Sequence, residues 1–301
     1  MKVGVMLPLF SGNAAEVTTF ARRAEGSGFD GVFGFDHLLP LRQPPERPSF
    51  EVYASLAAVA AATATITVGT LVTRASLRPA GLLAKMAASV DGISGGRLTL
   101  AVGTGDELSK REHDAFGIPY REREVRYAHL ADTVLALRAL LRGEAWEGSE
   151  LVPAVGGPIL PPPHRPGGPP LWVGGLSEAV VRTAGRLADG WNGWGVGEEG
   201  FARRALRLRA VAEEAGRIVA PTWGGIALVG EDPADTARLR ERRRAGNLES
   251  DVWTGDADGL VGFLSRLEEA GATWAVLLLA GPSDRLDLVA ERVLHRVRQT
   301  S

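Results

Sequence analysis

The feature that most constrains the fold is a regular alternation of short β-like runs with amphipathic helical stretches along the whole chain. The first run is apolar at nearly every position, which is typical of a strand buried on both faces. We predict eight strands, over residues 3–9, 31–35, 65–72, 97–103, 171–173, 190–194, 222–229 and 273–279. At least one predicted helix follows each strand, over residues 14–27, 50–63, 78–93, 121–142, 177–188, 198–216, 233–244 with 258–270, and 284–297.

This pattern predicts an α/β protein, a (β/α)8 TIM barrel with insertion loops, because successive right-handed β-α units of this number close into a ring of parallel strands. A doubly wound sheet is the alternative, and it would want a glycine fingerprint after the first strand, which residues 7–11 lack. The 301 residues exceed the roughly 200–250 that such barrels often fill. We assign the surplus mainly to loops at 36–49 and 143–170, and we predict one domain over residues 1–301.

Composition argues against several partners and one kind of chemistry. A net charge of −2 gives no reason to expect nucleic acid or an anionic membrane as partner. The chain has no cysteine, which excludes disulfides, thiolate metal sites and a cysteine nucleophile, and which is compatible with a reducing cytoplasm. The apolar N-terminal run is interrupted by Pro8 and is too short for a signal segment, and no window approaches a membrane span. We therefore expect a cytoplasmic protein with a small-molecule substrate.

In a barrel, functional residues lie in the loops that follow the carboxyl ends of the strands. The pair Asp36-His37 follows the second strand, and a histidine beside a carboxylate is a candidate general acid/base because imidazole titrates near neutral pH. A capping aspartate with a surface histidine is the alternative. After the fourth strand, residues 103–106 (GTGD) contain two glycines, which suit either an anion-binding nest or a plain tight turn.

The segment after the fifth strand predicts a phosphate site. Residues 174–177 read GGLS, with Ser177 as the N-cap of the next helix, and a Gly-Gly step into a helix leaves N–H groups for a phosphate. Glu178 argues mildly against a bare dianion there, although Arg182 could offset it. Residues 191–194 (WNGW) add aromatic and amide groups to the same rim, unless the tryptophans lie in the core. The five histidines show no metal-ligand spacing, so we predict no metal. Because several loops converge on one face with a Gly-rich phosphate cradle, we infer a bound phosphorylated cofactor.

These segments resemble the bacterial luciferase-like flavin barrels, the luciferase-like monooxygenase superfamily, and within it the branch that uses the deazaflavin coenzyme F420. The matching segments are GFDGV (28–32) leading to FDHL (35–38), ITVGTLV (66–72), LAK (83–85), SGGRL (94–98), VGTG (102–105), PLWVGGLS (170–177) and ADGWN (188–192). Each motif alone is weak. The ordered set covers essentially the whole chain and is specific to the superfamily.

The resemblance implies roles for these residues. Asp36 and His37 would lie beside the reactive ring, with His37 as the acid/base, and Asp106 would be a second acid/base. The peptide bond between Leu71 and Val72 would be cis and form a bulge behind the central ring. Besides Asp36, the residues that would contact the cofactor follow the third, fourth and fifth strands: Thr70, Leu71, Val72, Thr104, Gly105, Ser109, Gly174, Gly175, Leu176, Ser177 and Glu178.

The chain departs from the sugar-phosphate dehydrogenases of this branch at several positions. Leu41 stands where those enzymes have a tryptophan, and Asp106 stands where they have a glutamate. They also use late lysines for the substrate phosphate, whereas this chain has no lysine after Lys110. These departures argue against a sugar-phosphate substrate. We expect the Pro/Arg-rich loop at 39–48 and the excursion at 143–170 to shape a different, more apolar pocket.

We therefore predict an oxidoreductase in which coenzyme F420 exchanges a hydride with a small organic substrate while His37 supplies a proton. One alternative is a monooxygenase of the same fold that uses FMN. The other is a non-catalytic flavin-binding protein, for which Leu41 and Asp106 would be signs of decay. The sequence leaves open the substrate, the reaction direction and the oligomeric state; barrels of this kind often pair through helices, as a homodimer would.

Overall fold

The computed structural model describes residues 1–40, 47–245, 252–281 and 284–299. The strands in these ranges are β1 Lys2–Met6, β2 Gly31–Gly34, β3 Thr67–Thr70, β4 Thr73–Arg74, β5 Leu98–Gly103, β6 Leu171–Gly174, β7 Gly190–Trp194, β8 Ala220–Gly230, β9 Val252–Asp256 and β10 Trp274–Leu279. The helices are α1 Ala14–Gly26, α2 Val52–Ala62, α3 Ala80–Ile93, α4 Lys110–Ala115, α5 Arg123–Leu141, α6 Glu178–Leu187, α7 Glu198–Glu214, α8 Pro233–Ala245, α9 Ala257–Glu269, α10 Arg285–Val289 and α11 His295–Gln299. A 3₁₀ turn covers Glu107–Ser109, and a π-helical turn covers Ala290–Leu294.

Eight of these strands close into a parallel barrel. Their order around the ring is β1-β2-β3-β5-β6-β7-β8-β10, and β10 closes it by pairing with both β8 and β1. Parallel neighbours cannot be joined by a tight hairpin, so each strand needs a helical crossover before the next one. The predicted (β/α)8 barrel is thus confirmed, and the doubly wound sheet is excluded because the ring is closed. The prediction of a single domain over residues 1–301 stays a prediction.

Apolar side chains pack on both sides of the barrel wall. On the outside, helices bury one stripe against the sheet; α5, for example, buries Leu130, Val134 and Leu137 at helical spacing. On the inside, the rings of Phe33, Trp172 and Trp274 form a cluster with centroids 5.6–5.9 Å apart. Because the barrel interior is packed, the strand ends are the place where a ligand can bind.

The third barrel strand is interrupted where one continuous strand over residues 65–72 was predicted. β3 ends at Thr70, whose Oγ1 donates to the Ala101 carbonyl (2.8 Å) and accepts from the Ala101 amide (3.0 Å) in place of a backbone partner. The peptide bond between Leu71 and Val72 is cis, which confirms the expectation from the resemblance. The chain then rejoins β5 as the two-residue strand β4.

Two elements lie outside the predicted set. β9 is an edge strand whose pairing is with β8 and whose residues are all half-buried, so it lacks an alternating apolar pattern. The helical segment at 107–115 is polar in sequence and resembles a solvated loop. The predicted excursion at 143–170 has no helix or longer strand, but Trp146 and Val155 form an isolated antiparallel bridge. Of the predicted loop 36–49, residues 41–46, including Leu41, lie outside the described residues.

Within the part of the chain that the structure describes, we find no helix both long and apolar enough to cross a bilayer.

Candidate functional site

The parallel strands bring their carboxyl ends to one face of the barrel, and His37 lies on this face just beyond β2. Phe35 and Phe10 flank its imidazole, with ring centroids 5.7 and 6.0 Å away. Phe35 also meets Trp194, the last residue of β7, edge to face at 5.1 Å. The His37 side chain keeps 15% of its surface exposed. An imidazole that is partly open and bordered by aromatic rings suits a proton transfer shielded from bulk water.

Asp36, directly before His37, is buried and paired with an arginine. Its two carboxylate oxygens accept from Nη1 and Nη2 of Arg78 at 2.5 and 3.0 Å. Burial raises the pKa of Asp36 above its ordinary value, and the hydrogen bonds and positive charge of Arg78 offset only part of that rise. Arg78 also bonds Glu51 (2.7 Å) and lies 5.1 Å from the ring centroid of Tyr53. The carboxylate of Asp36 therefore anchors Arg78, and its predicted contact with a cofactor stays a prediction.

A second arginine, Arg74, lies under the same loop. Its Nη2 donates to the carbonyl oxygen of Asp36 (2.7 Å) and to Oε2 of Glu112 (2.6 Å), and it lies 2.9 Å from Nδ1 of His37. The side chain is 3% exposed. Its Nη1 is buried and meets no acceptor among the described residues. Arg74 thus ties the backbone before His37 to the helix that carries Glu112.

Glu112 is the centre of this hydrogen-bond network. Its Oε1 lies 2.9 Å from Nδ1 of His37, and its Oε2 also accepts from the backbone amides of Leu38 (2.6 Å) and Leu39 (3.2 Å). Burial acts to raise the pKa of Glu112, but hydrogen bonds from His37 and Arg74, with the charge of Arg74, lower it to about 2. Glu112 is therefore ionised at neutral pH although its side chain is 2% exposed.

Sequence reasoning found His37 and Asp36 but missed Glu112, Arg74 and Arg78. All three are charged residues in stretches that look solvated, and no spacing in the sequence relates position 112 to position 37. The only available signal was the location of Arg74 and Arg78 just after a strand end. The packing of α4 against the loop after β2 is what brings Glu112 to the site.

The structure shows Asp106 as a helix cap. Its Oδ1 accepts from the amide and the hydroxyl of Ser109, both at 3.1 Å, and the Ser109 hydroxyl accepts in return from the Asp106 amide at 3.2 Å. Beside them, Gly105 has a φ of +70°, and the Thr104 hydroxyl donates to its carbonyl at 2.9 Å. Asp106 is exposed and Ser109 is buried. Their reciprocal hydrogen bonds form a capping box, which explains why the helical turn begins here. The predicted catalytic role of Asp106 and the predicted cofactor contacts of Thr104, Gly105 and Ser109 stay predictions.

The bulge at Leu71–Val72 rests in a cradle of two glycines. A Cβ at Gly103 would lie 2.7 Å from Cγ2 of Val72, and a Cβ at Gly174 would lie 2.5 Å from its Cγ1. Real Cβ atoms do not approach so closely, so a larger residue at either position would displace Val72. Gly103 and Gly174, the last residues of β5 and β6, are therefore required by the shape of the bulge.

We predict that Gly174→Ala destabilises the protein by about 1–3 kcal/mol, because the added methyl group collides with Val72. The double variant Val72→Ala/Gly174→Ala should recover part of this loss, because it removes the colliding Cγ1. Urea unfolding of the two single variants and the double variant measures this coupling. Gly92→Ala is the matched control: its Cβ would meet nothing within 4 Å, so stability should change little or rise. Additive losses in the double variant would contradict the prediction.

After β6, amides that could bind an anion occur in the first turn of α6, whereas the amide of Gly175 is already bonded. The amide of Gly175 is bonded to the carbonyl of Asn192 at 3.1 Å, so it is not available to a ligand. Ser177 caps α6 by accepting from the amide of Val180 at 3.3 Å. The first-turn amides of Glu178 and Ala179 meet no protein acceptor among the described residues, as expected for a helix start. The Glu178 side chain is turned to Arg207 (2.7 Å).

A cavity of about 300 Å³ lies at the opposite end of the barrel, where β6 and β7 begin. Arg138, Arg142 and Arg165 line it together with Asp189. Asp189 is bonded to Arg138 (3.0 Å) and Arg217 (3.3 Å), and Arg142 is the C-cap of α5. Arg138 therefore already balances a carboxylate, Arg142 lies at a helix C-terminus, and Arg165 donates to the carbonyl of Gly96. The cavity is distant from His37, and we assign it no part in the site at the carboxyl ends.

The fold and the site together define a class: a TIM barrel that carries, at the carboxyl ends of its strands, a histidine bordered by aromatic rings and a cis-peptide bulge in a glycine cradle. The chain belongs to the luciferase-like monooxygenase family, whose family model matches residues 1–285. The family resemblance inferred from the sequence motifs is thereby confirmed.

Individual relatives agree with this assignment. An F420-dependent glucose-6-phosphate dehydrogenase from Nakamurella multipartita is 33% identical over 186 residues, which cover 59% of this chain and 51% of that protein. The chain thus spans about half the length of this curated relative. Among solved structures, an F420-dependent secondary alcohol dehydrogenase in complex with an F420–acetone adduct superposes with a TM-score of 0.86 at 20% identity, over 99% of both chains. A monooxygenase from Streptomyces bottropensis superposes with a TM-score of 0.79 at 22% identity, over 98% of this chain and 99% of that one.

Proposed function

We propose that the protein is a coenzyme F420-dependent oxidoreductase that transfers a hydride between the deazaflavin and a small organic substrate. The observation that carries the proposal is the placement of His37, partly open and bordered by aromatic rings, on the same barrel face as the Leu71–Val72 bulge. The F420-dependent relatives support this cofactor over FMN, although monooxygenases share the fold.

Two features of the chain fit a deazaflavin cofactor. The glycine cradle fixes the bulge of Val72 at the strand ends, where the ring system would lie against it. The first turn of α6 offers amides that meet no acceptor in the described part of the chain, and such amides bind phosphate groups. We propose that Ser177 and the first-turn amides of α6, including that of Glu178, would hold the phosphate-containing tail, while the Glu178 carboxylate is paired with Arg207.

The bound deazaflavin would supply a ring carbon that accepts or gives a hydride. The protein's own residues would do the rest: the aromatic side chains orient the substrate and exclude water, and His37 takes the proton. For an alcohol substrate, His37 would take the O–H proton at Nε2, and a carbonyl compound would remain once the C–H hydrogen had left with its electron pair to the bound deazaflavin. In the opposite direction, the protonated His37 returns the proton to the carbonyl oxygen.

We further propose that the substrate is a neutral alcohol or carbonyl compound. Phe10, Phe35 and Trp194 form an apolar border around His37. Arg74 and Arg78, which bond to residues at and beside His37, are engaged with Glu112 and Asp36, so neither has an unopposed charge for a phosphate group. The apolar border, the paired arginines and the absence of lysine after Lys110 in the sequence disfavour a sugar phosphate, even though one relative is a glucose-6-phosphate dehydrogenase.

Cofactor titration tests the proposal. We expect the purified protein to quench deazaflavin fluorescence and to bind FMN at least about tenfold more weakly, a difference of about 1.4 kcal/mol. Turnover is then followed as loss of oxidised F420 absorbance with 2-propanol, cyclohexanol and glucose 6-phosphate. Turnover with an alcohol and none with the sugar phosphate is the expected pattern. Preferential FMN binding would instead favour the monooxygenase, and cofactor binding without turnover on any alcohol or carbonyl would favour the non-catalytic protein.

A further inference from the structure

We propose that Glu112 is a positioning residue that sets the tautomer of His37, keeping the proton on Nδ1 and leaving Nε2 as the proton acceptor. The inference rests on the proposed acid/base role of His37. It concerns a residue that does not touch the substrate and acts through the imidazole alone.

Arg74 has too few hydrogens at Nη2 for all the groups around it. Its Nη2 carries two hydrogens and has three neighbours within bonding distance: Oε2 of Glu112 at 2.6 Å, the carbonyl oxygen of Asp36 at 2.7 Å and Nδ1 of His37 at 2.9 Å. The two oxygens are nearer, and one of them is charged, so they take both hydrogens. Arg74 has no hydrogen left at Nη2 for the imidazole.

The other neighbour of Nδ1 is the carboxylate of Glu112. Oε1 of Glu112 lies 2.9 Å away and belongs to an ionised carboxylate, which can only accept. A lone pair on Nδ1 would therefore face both the carboxylate oxygen and its negative charge. Nδ1 must carry a hydrogen and donate it to Glu112. The neutral imidazole then has its lone pair on Nε2, for which no protein partner is found among the described residues.

The carboxylate of Glu112 is held in place by several hydrogen bonds. Its Oε2 accepts from three donors, the amides of Leu38 and Leu39 and Nη2 of Arg74, while Oε1 is left for His37. The two amides belong to the loop that carries His37, so the carboxylate holds the backbone and the ring together. A hydrogen bond to the second nitrogen of a catalytic histidine commonly sets its tautomer in this way.

The orientation of a glutamine at position 112 follows from the same contacts. In Glu112→Gln, the amide carbonyl should occupy the Oε2 position, because three donors converge there. The NH₂ group then points at Nδ1 of His37 and requires Nδ1 to accept. The proton moves to Nε2, and His37 loses its lone pair on the substrate side. The isosteric variant should therefore fold while it reverses the tautomer.

Nitrogen-15 NMR of the histidine-labelled protein tests this inference at alkaline pH, where imidazole is neutral. In the wild type we expect a protonated Nδ1 and an unprotonated Nε2 for His37, and in Glu112→Gln the reverse. The apparent dissociation constant for F420 should be unchanged, and kcat for alcohol oxidation should fall by about 10²–10⁴-fold. Glu213→Gln, an exposed change of the same chemistry on α7, is the matched control and should alter neither property.

Two results would overturn the inference: a wild-type spectrum with the proton on Nε2, which needs no variant to fold, or a Glu112→Gln variant with the wild-type tautomer. Failure of the proposed function is distinguishable from both. If His37→Ala keeps full turnover, or if no F420 binds, the proposed function is wrong while the tautomer measurement still decides the role of Glu112. If His37→Ala is inactive and the tautomer does not respond to Glu112→Gln, the positioning role alone is wrong.

Discussion

His37→Ala should bind coenzyme F420 as the wild type does and lose about 10²–10⁴-fold in turnover, the usual contribution of a general acid/base. The side chain contacts Phe10, Phe35 and the Glu112 carboxylate but is 15% exposed, so its removal leaves a small gap at the site. Binding is measured by fluorescence quenching of the deazaflavin, and turnover by its absorbance with an alcohol substrate.

His295→Ala is the matched control for this experiment. His295 is exposed at the start of α11, among helices on the outside of the barrel, so its removal should change neither binding nor turnover. If His37→Ala retains wild-type turnover, His37 is not the acid/base. If it loses cofactor binding in proportion to turnover, its role is in binding.

Arg78→Met should destabilise the protein by about 3–5 kcal/mol at neutral pH, because it leaves the buried carboxylate of Asp36 without its partner. The loss should depend on pH with a defined sign. Burial raises the folded-state pKa of Asp36, and more so without Arg78, so the folded variant takes up a proton more readily than its unfolded chain does. The deficit should therefore be full above the folded pKa of Asp36 and should shrink as the pH falls through it.

Urea unfolding over a range of pH measures this effect. Arg23→Met is the control, because it breaks an exposed pair with Asp287 (2.9 Å, with the side chains 42% and 49% exposed) and should cost at most about 1 kcal/mol. Asp36→Asn/Arg78→Met removes the buried charge together with its partner and should recover much of the loss. An Arg78→Met deficit no larger than that of Arg23→Met would show that the Asp36–Arg78 pair does not support the fold.

The parts of the fold that sequence reasoning predicted are those encoded in local patterns. Apolar runs such as residues 3–6 and 98–103 must be buried on both faces, and only a sheet covered by helices buries them. The sequence assigns Gly174 to the site from its position at a strand end, and it places Gly103 in a segment that suits either an anion-binding nest or a tight turn. Their actual constraint, the room they leave for Val72, depends on a side chain from another strand and is not visible in their own segments.

The parts that were missed depend on contacts between segments far apart in the chain. Glu112 is separated from His37 by 75 residues, and its segment is polar and typical of a solvated loop. β9 is a short edge strand without an apolar pattern, stabilised by its pairing with β8. In both cases the local sequence is typical of an exposed loop, but contacts with distant segments place it in ordered structure.

By itself, the sequence determined the closed α/β barrel, the face that carries the site, and the position of His37, because periodic burial and the direction of parallel strands are properties of consecutive residues. Only the tertiary structure decided the chemistry around that histidine. The charges of Asp36, Arg74, Arg78 and Glu112 lie in three separate segments, and their effect on one another depends on distances of 2.5–3.2 Å that no local pattern specifies. Electrostatic and hydrogen-bonding interactions of this kind act across space, so the folded chain determines them.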